Sequence, residues 1–331
     1  MNTGLTVPTP ADVVPGAGLP ILLNIDVEPD GVDFEPDDEV GWEGFERALE
    51  WAPAVRQQLA DATGRPVQWV WLIRCDPQLE HTYGDAAWAL RHFQTGIDAL
   101  QAAGDDIGLH VHMFRRDTDQ ARWVTDFEDA AWVRHCLDVG VAGFESARGV
   151  RPVTMSSGIQ WQSTDLMNHA RRLGFRHDLS CVSRRSNRPH GRNHGHVQGA
   201  SQDYSALPQH PYSPSEQDFR VPRDTPDALW VLPLTSSALA HPRAAVSAEP
   251  FFDRWHIRLG PDVIAPAVAE RLQGPHPAHV VVSLRSAVFR QQKQREAIAA
   301  SLLYLAQQPG ARFVDAAALV HAVLAAGATA A

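Results

Sequence analysis

Two histidines separated by a single residue, His110 and His112, stand in an otherwise apolar stretch, DIGLHVHMF, at residues 106–114. Successive side chains of an extended strand point to opposite faces, so both imidazoles would project from one face. Gly108, two residues before the pair, would let a neighbouring strand or side chain approach closely. The spacing fits either half of a metal site or two ordinary polar contacts.

Two acids with the same spacing, Asp26 and Glu28, end the apolar run LPILLNIDVEPDG. On a strand these side chains would also share a face. Two carboxylates and two imidazoles that meet at one rim suit Zn²⁺ or a similar divalent ion. Each pair alone is more often structural. Together, at the ends of adjacent strands, the two pairs predict a metal site with Zn²⁺ as the expected ion.

Strands and helices alternate around these pairs. Apolar runs predict strands at 19–31, 66–76, 106–114, 151–157, 175–181, 228–235, 278–284 and 311–314. Apolar spacing of the helical kind predicts helices at 43–61, 84–103, 127–147, 163–174, 261–273, 290–307 and 315–325. This order is typical of an α/β protein with a mainly parallel sheet, and seven or eight such units could close into a barrel.

A barrel of this type carries its active site at the C-terminal ends of its strands. Further polar residues fall there, and they extend the list of candidates to Arg74, Asp76, Asp178, Ser283 and Arg285. Arg74 and Asp76 could also simply pair with each other. There is no GxGxxG after the first strand and no GxxxxGK[ST], which disfavours a nucleotide-binding open sheet.

Composition excludes several classes of partner. The formal net charge of −10 argues against nucleic acid and anionic membrane surfaces. No apolar run approaches the roughly 20 residues of a membrane span. Three cysteines without CxxC spacing fit a reducing compartment. The N-terminus lacks the features of a signal peptide, so we expect a cytoplasmic protein.

The expected organisation is a flexible N-terminal arm at residues 1–18 and a single (β/α) barrel domain at 19–331. The arm is rich in Pro, Gly and Thr. Candidate site residues spread from position 26 to position 285, which favours one domain over two. A long irregular segment at about 182–227 is expected to be functional or disordered, as long loops usually are.

The order LLNIDVEPD, AAGDDIGLHVHMF and RPVTMSSGIQWQSTDLMNHARRLGFRHDLS resembles the polysaccharide deacetylase-like proteins, the NodB-homology group of carbohydrate esterases. The resemblance runs from about Leu19 to Val320. It implies a distorted (β/α) barrel and a metal-dependent hydrolase that removes an acyl group, N-acetyl above all, from an amino sugar or glycan precursor.

The resemblance also implies roles for individual residues. Asp26 matches the general base and Glu28 the metal-binding acid. His110 matches the first histidine of the family's H-x-x-x-H pattern, whose second position is Phe114 here, so His112 is the substitute. A tyrosine in the loop before the sixth strand, Tyr212, matches a substrate contact.

Two positions depart from the family pattern. The arginine that usually orients the base is matched by Ser156, and the usual general-acid histidine is replaced within VVVSLRSAVF by Ser283, Leu284 and Arg285. A missing acid would lower the rate by roughly 10²–10⁴ if nothing replaced it. Histidines of the long segment could supply one: His190, His194, His196 and His210.

The candidate substrate-binding residues are Arg74, Asp76, Trp161, Asp178 and Tyr212. Trp161 could stack on a sugar ring or belong to the core at the rim. Asp178 could hold a sugar hydroxyl or a histidine. Two other functions stay open: a glycoside hydrolase with Asp26 and Asp178 about 5–5.5 Å apart, and a carbohydrate-binding relative without catalysis. The discriminating features are the separation of those carboxylates and the presence of a metal.

Overall fold

The computed structural model describes residues 18–30, 41–119, 121–183, 197–198, 203–236, 261–274 and 277–330. The predicted arm lies outside these residues, apart from Gly18. Eleven strands occur in the described residues: β1 Pro20–Val27, β2 Val70–Arg74, β3 Asp106–Val111, β4 Phe114–Asp117, β5 Arg122–Asp126, β6 Thr154–Ser157, β7 His177–Asp178, β8 Val197–Gln198, β9 Trp230–Val231, β10 Val280–Arg285 and β11 Arg312–Phe313.

Seven parallel strands form one curled sheet in the order β10, β1, β2, β3, β6, β7 and β9, and β11 pairs with the first residues of β1. Beyond β9, Thr235 reaches the opposite edge. Its backbone N–H donates to the carbonyl of Val281 at 3.0 Å, and its hydroxyl accepts from the Val281 N–H at 2.9 Å. The predicted distorted (β/α) barrel of seven or eight strands is confirmed.

Nine helices accompany the strands in the described residues: α1 Glu43–Thr63, α2 Pro77–Tyr83, α3 Trp88–His92, α4 Gln94–Ala102, α5 Ala130–Arg148, α6 Thr164–Leu173, α7 Pro261–Gln273, α8 Gln292–Ala306 and α9 Ala316–Ala330. The signals at the ends of α6 act as predicted. Ser163 caps its first turn and Gly174, at φ 92°, ends it. None of the helices in these ranges combines the length and hydrophobicity of a membrane span.

The single helix predicted at 84–103 is wrong, because α3 and α4 are separated at Phe93, which has φ −101° and ψ 21°. The Phe93 ring packs edge-on against Phe45 of α1, with centroids 5.1 Å apart. Tertiary packing of this aromatic side chain outweighs the helical spacing of its neighbours.

Alternation along the strands divides the apolar core into two clusters. Ile21, Leu23 and Ile25 of β1 face outward into a large cluster shared with the helices. Leu22 faces inward, into a smaller cluster with Val70, Leu72, Leu179, Leu232 and Val281. The inner face of β1 then continues with Asn24 and Asp26. The period of two therefore changes the inner face from apolar to polar towards the C-terminal ends of the strands.

The third strand is shorter than predicted. β3 ends at Val111, and Phe114 begins β4, which pairs antiparallel with β5 in a separate sheet of three short strands that includes β8. Gly108 does lie where a side chain would not fit, since a Cβ atom would be 2.5 Å from the Thr154 carbonyl oxygen. Residues 203–227, the described end of the predicted long loop, contain turns and isolated bridges only.

Candidate functional site

The register between neighbouring strands brings the polar candidate residues of the inner face close together. Asp26 of β1 pairs with Leu72 of β2 and with Arg285 of β10. His110 of β3 pairs with Arg74 on one side and with Ser156 of β6 on the other. Because paired residues of a parallel sheet point to the same face, these side chains meet at the C-terminal rim of the barrel.

Three donor atoms converge there as a metal site requires. The Nε2 atoms of His110 and His112 lie 2.9 Å apart, and Glu28 Oε2 lies 3.1 Å from His112 Nε2 and 4.0 Å from His110 Nε2. Zn–N and Zn–O bonds of about 2.0–2.2 Å place neighbouring tetrahedral ligands about 3.3 Å apart. Among the described residues, this is the group of three such side chains that could hold a metal ion. The donor set fits zinc.

The two carboxylate oxygens of Glu28 have different neighbours: Oε2 faces the two histidines, and Oε1 faces Arg285. Its Oε1 accepts a hydrogen bond from Arg285 Nε, while Arg74 Nη1 lies 3.9 Å from Oε2. Burial raises the pKa of this carboxyl, but the charge of Arg285 and a hydrogen bond from His112 outweigh it and hold the pKa well below its ordinary value. Glu28 is therefore ionised and can bind an ion through a single oxygen.

Both histidines are held neutral by their surroundings. Their side chains are almost fully buried, and burial lowers the pKa of His110 to about 4, against the opposing effect of Asp26. Burial and then Arg74 also lower the pKa of His112. Metal ligation requires the neutral imidazole. His110 thus keeps its ligating form at a lower pH than a free histidine would.

Asp26 lies beside this group and is the most accessible of its acids, with 13% of its side chain exposed. Its Oδ1 accepts from Ser156 Oγ at 2.8 Å and from Asn24 Nδ2 at 3.3 Å, and it lies 3.6 Å from His110 Nδ1. Burial raises the pKa of Asp26, although His110 opposes the shift. A carboxyl with neutral donors and a raised pKa suits proton transfer.

Arg74 and Asp76 do pair, through Nε and Oδ2 at 2.6 Å, and both are buried. Asp76 also caps α2 through the N–H groups of Gln78 and Leu79, and accepts from the His112 N–H at 3.2 Å. Burial alone would raise the pKa of Asp76, but the charge of Arg74 and the hydrogen bonds that Asp76 accepts lower it. The pair supports the backbone at His112, and a contact with substrate stays a prediction.

Asp178 lies on the other face of the sheet. It pairs with Met155 of β6 and Val231 of β9, which belong to the outer cluster. Its carboxylate accepts from Gln162 Nε2 at 2.9 Å and from Ser180 Oγ at 2.8 Å. Burial raises its pKa to about 6. The glycoside hydrolase alternative needs the carboxylates of Asp26 and Asp178 side by side, and the place of Asp178 on the outer face disfavours it. The role of Asp178 in substrate binding stays a prediction.

The two aromatic candidates are packed inside the protein. The Trp161 ring stacks on Phe127 with centroids 4.5 Å apart, and 4% of the residue is exposed. The Tyr212 hydroxyl donates to the carbonyl of Phe219 at 2.9 Å, and 3% of the residue is exposed. Both would need a local movement to contact a sugar ring, so their binding roles also stay predictions.

Sequence reasoning assigned no role to Asn24 or Gly158, and it marked Ser156 only as the position where an arginine would orient the base. Asn24 and Ser156 hold Asp26, and Gly158 lies so close to His112 that a Cβ atom would be 2.2 Å from its Nδ1. Asn24 carries a usable signal, because it precedes Asp26 by two residues on the same strand face. The other two depend on the pairing of β3 with β6. Of the loop histidines, His190, His194 and His196 lie outside the described residues.

No protein-family model matches the sequence, and no curated protein matches it either. Solved structures are similar over most of their length. Puue allantoinase is 14% identical with a TM-score of 0.54, covering 96% of this chain and 94% of that one. A probable polysaccharide deacetylase from Pseudomonas aeruginosa PAO1 is 13% identical with a TM-score of 0.52, covering 95% and 93%.

A provisionally assigned polysaccharide deacetylase from Mycobacterium smegmatis is 12% identical with a TM-score of 0.50, and 96% of each chain is covered. Identities this low establish the fold and leave the activity to be argued from the site. The folds of these neighbours agree with the order of sequence motifs that resembles the NodB-homology group. They also agree with the curled parallel sheet of this chain. The chain has the NodB-like fold of the polysaccharide deacetylases.

Proposed function

We propose that this protein is a metal-dependent hydrolase that removes an N-acetyl group from an amino sugar or glycan precursor. The observation that carries the proposal is the convergence of His110 Nε2, His112 Nε2 and Glu28 Oε2 beside Asp26. The fold of the polysaccharide deacetylases supports the choice of a carbohydrate amide. A divalent ion held by these three residues, zinc in our proposal, would supply Lewis acidity to polarise the acyl carbonyl.

Asp26 acts as the general base in this proposal. It removes a proton from the attacking water as the C–O bond forms, and the C–N bond of the amide then breaks. Ser283 and Arg285 occupy the strand where the family resemblance places an acid. An arginine keeps its proton in proteins, and the Ser283 hydroxyl lies 3.5 Å from Asp26 Oδ2. The proton held by Asp26 therefore passes to the leaving nitrogen, giving an amine and a carboxylic acid.

The proposed substrate is a cytoplasmic sugar precursor. The three cysteines are free and buried, as is usual in a reducing compartment. Arg74, Asp76, Trp161, Asp178 and Tyr212 remain the proposed substrate-binding set, although the burial of each makes Arg285, with 18% of its side chain exposed, a better-placed contact.

The test is acetate release from N-acetylated monosaccharides, nucleotide-linked sugars and chitooligosaccharides by zinc-loaded protein. Activity should disappear after chelation and return with zinc. Allantoin belongs in the same panel, because one structural neighbour is an allantoinase. Hydrolysis of allantoin without acetate release would replace the sugar in the proposal. A protein that binds zinc but hydrolyses nothing in the panel would favour the carbohydrate-binding alternative.

A further inference from the structure

Ser156 lies between the proposed base and one of the proposed metal ligands. Its Oγ is 2.7 Å from His110 Nδ1 and 2.8 Å from Asp26 Oδ1. The residue is 2% exposed and is the register partner of His110 across β3 and β6. The contact with His110 is shorter than the usual 2.9–3.0 Å of an N–H···O bond, and the contact with Asp26 has the usual length of an O–H···O bond. One buried hydroxyl thus connects two groups with different chemical tasks.

Counting hydrogen atoms fixes the direction of this chain of hydrogen bonds. A hydroxyl has one hydrogen, and Asp26 can only accept while its carboxyl group is ionised. Ser156 must therefore donate to Asp26, and its remaining contact must be an acceptance from His110. The proton of the neutral His110 ring then lies on Nδ1, and the lone pair lies on Nε2.

The opposite side of the ring requires the same tautomer. His112 Nε2 lies 3.1 Å from Glu28 Oε2 and 2.9 Å from His110 Nε2. Because the Glu28 carboxylate accepts, His112 carries a hydrogen on Nε2. Two ring nitrogens 2.9 Å apart cannot both carry a hydrogen in this contact, so His110 Nε2 has only its lone pair. Two independent sets of contacts agree on the lone pair at this atom.

We propose that Ser156 is a positioning residue that sets the Nδ1–H tautomer of His110, presents Nε2 to a metal ion and orients Asp26 with the same hydroxyl. Its effect on hydrolysis rests on the function proposed above, whereas its effect on the tautomer and on metal affinity does not. Groups behind a ligating histidine orient the ring and raise its basicity in this way.

The inference makes the two histidines unequal. His112 Nδ1 is buried without a hydrogen-bond partner among the described residues. In the metal-free protein His112 carries its hydrogen on Nε2, so binding an ion there requires the hydrogen to move to Nδ1. His110 needs no such change. The same spectrum should therefore show opposite tautomers for the two rings before metal is added.

Nuclear magnetic resonance of ¹⁵N-histidine-labelled, metal-free protein tests the tautomers directly. In the wild type, His110 should be protonated on Nδ1 and His112 on Nε2. This measurement needs no variant, so it decides the matter even where a substitution disturbs folding. Protonation of His110 on Nε2 would overturn the proposal.

A matched pair of variants, Ser156→Thr and Ser156→Val, tests the hydroxyl itself, because the two side chains have nearly the same shape. Zinc affinity is measured by competition with a chromophoric chelator. Thr should keep the Nδ1–H signal and bind zinc about 10- to 100-fold more tightly than Val, the usual size of such an effect. Equal affinities in the two variants would contradict a role for the hydroxyl.

Ser283→Ala provides the control, since Ser283 Oγ lies 3.5 Å from Asp26 Oδ2 and its contacts are with Asp26 and Asn24. This variant should keep the His110 tautomer and the zinc affinity of the wild type. A loss equal to that of Ser156→Val would show a general effect of hydroxyls near Asp26 and overturn the specific role. A protein that passes these tests but hydrolyses no N-acetyl sugar would contradict the proposed function alone.

Discussion

Asp26, which is partly exposed, and Asp178, which is buried, are both acids near the C-terminal ends of parallel strands, yet they lie in different chemical surroundings. Asp26, on the inner face, has an imidazole nitrogen 3.6 Å away and Glu28 two residues further on. Within the described part of the chain, the Asp178 carboxylate on the outer face accepts from the neutral side chains of Gln162 and Ser180 and from the Ser180 N–H. Burial raises the pKa of both, the second to about 6.

The difference shows that the end of a strand is not sufficient to place a residue in a site. A shift of one residue along a strand moves a side chain to the opposite face. On the inner face, the nitrogens of two histidines and an oxygen of Glu28 point at one another. On the outer face, both oxygens of Asp178 are used by the protein itself. The inner group is open to a ligand and the outer group is closed.

The largest expected effect comes from Glu28→Gln. The amide keeps the size of the side chain but removes the charge that attracts a cation. We expect zinc affinity to fall by more than about 100-fold, beyond the range for residues behind the ligands. Isothermal titration and elemental analysis of the purified protein measure it.

Asp178→Asn is the matched control for that experiment, because it makes the same carboxylate-to-amide change on the outer face. It should leave the zinc content as in the wild type. Retention of zinc by both variants would break the distinction between the two groups, and loss of zinc in both would show that the outer group also supports the metal.

Asp26→Asn should have the next largest effect. The amide oxygen can still accept from Ser156, but the side chain can no longer take a proton from water. We expect kcat/KM for acetate release to fall by about 10²–10⁴ while zinc content is retained. Parallel loss of zinc and activity would instead identify Asp26 as a ligand and reverse the roles given to the two acids.

Local sequence was sufficient for much of this architecture because strand periodicity is local. The spacing of Asp26 with Glu28 and the alternation of apolar runs predicted the inner rim and the barrel. The equally spaced His110 and His112 also meet, although β3 ends at Val111 and His112 lies just beyond it. The backbone there is held by a hydrogen bond to Asp76, which the period of two does not describe.

Register between strands was not predictable in the same way. The face of Asp178 follows from its pairing with Met155, and the role of Ser156 follows from its pairing with His110. These pairings join residues more than 20 positions apart, and they depend on how the whole sheet packs. The antiparallel pair β4 and β5 escaped prediction because its strands, FRRD and RWVTD, are short and contain several charged residues.

Gly158→Ala tests the contact between the turn after β6 and His112. Gly158 begins the short 3₁₀ turn Gly158–Gln160 after β6, in which Ile159 and Gln160 have φ of 57° and 53°. A Cβ atom at Gly158 would lie 2.2 Å from His112 Nδ1, so the imidazole or the turn must move. We expect zinc affinity to fall by about 10-fold, the lower end of the range for residues behind the ligands.

Gly274→Ala is a suitable control, since a Cβ atom there would make an ordinary contact 3.4 Å from the Glu270 carbonyl oxygen. Chelator competition should give it the zinc affinity of the wild type. An unchanged affinity in Gly158→Ala would mean that the turn adjusts without moving His112.

The smallest effect on activity is expected for Asp178→Asn, and here the readout is stability. The pKa of Asp178 rises from 3.8 to about 6 on folding because burial disfavours its charge. The folded protein therefore binds more protons than the unfolded chain between these values, and the free energy of unfolding falls as the pH rises through this window. The fall amounts to at most about 3 kcal/mol, at 1.36 kcal/mol per pKa unit.

An asparagine cannot ionise, so Asp178→Asn removes this pH dependence. Its hydrogen bonds with Gln162 and Ser180 are imperfect, but that cost is the same at every pH. Relative to the wild type, the variant should therefore be more stable at pH 7 than at pH 4, as urea unfolding at the two values measures. Its kcat should stay within about threefold of the wild type, because a group on the outer face contacts no reacting atom. An increase in KM would support the substrate-binding role predicted for Asp178, whereas a much larger loss of kcat would show that the outer face contributes to the chemical step.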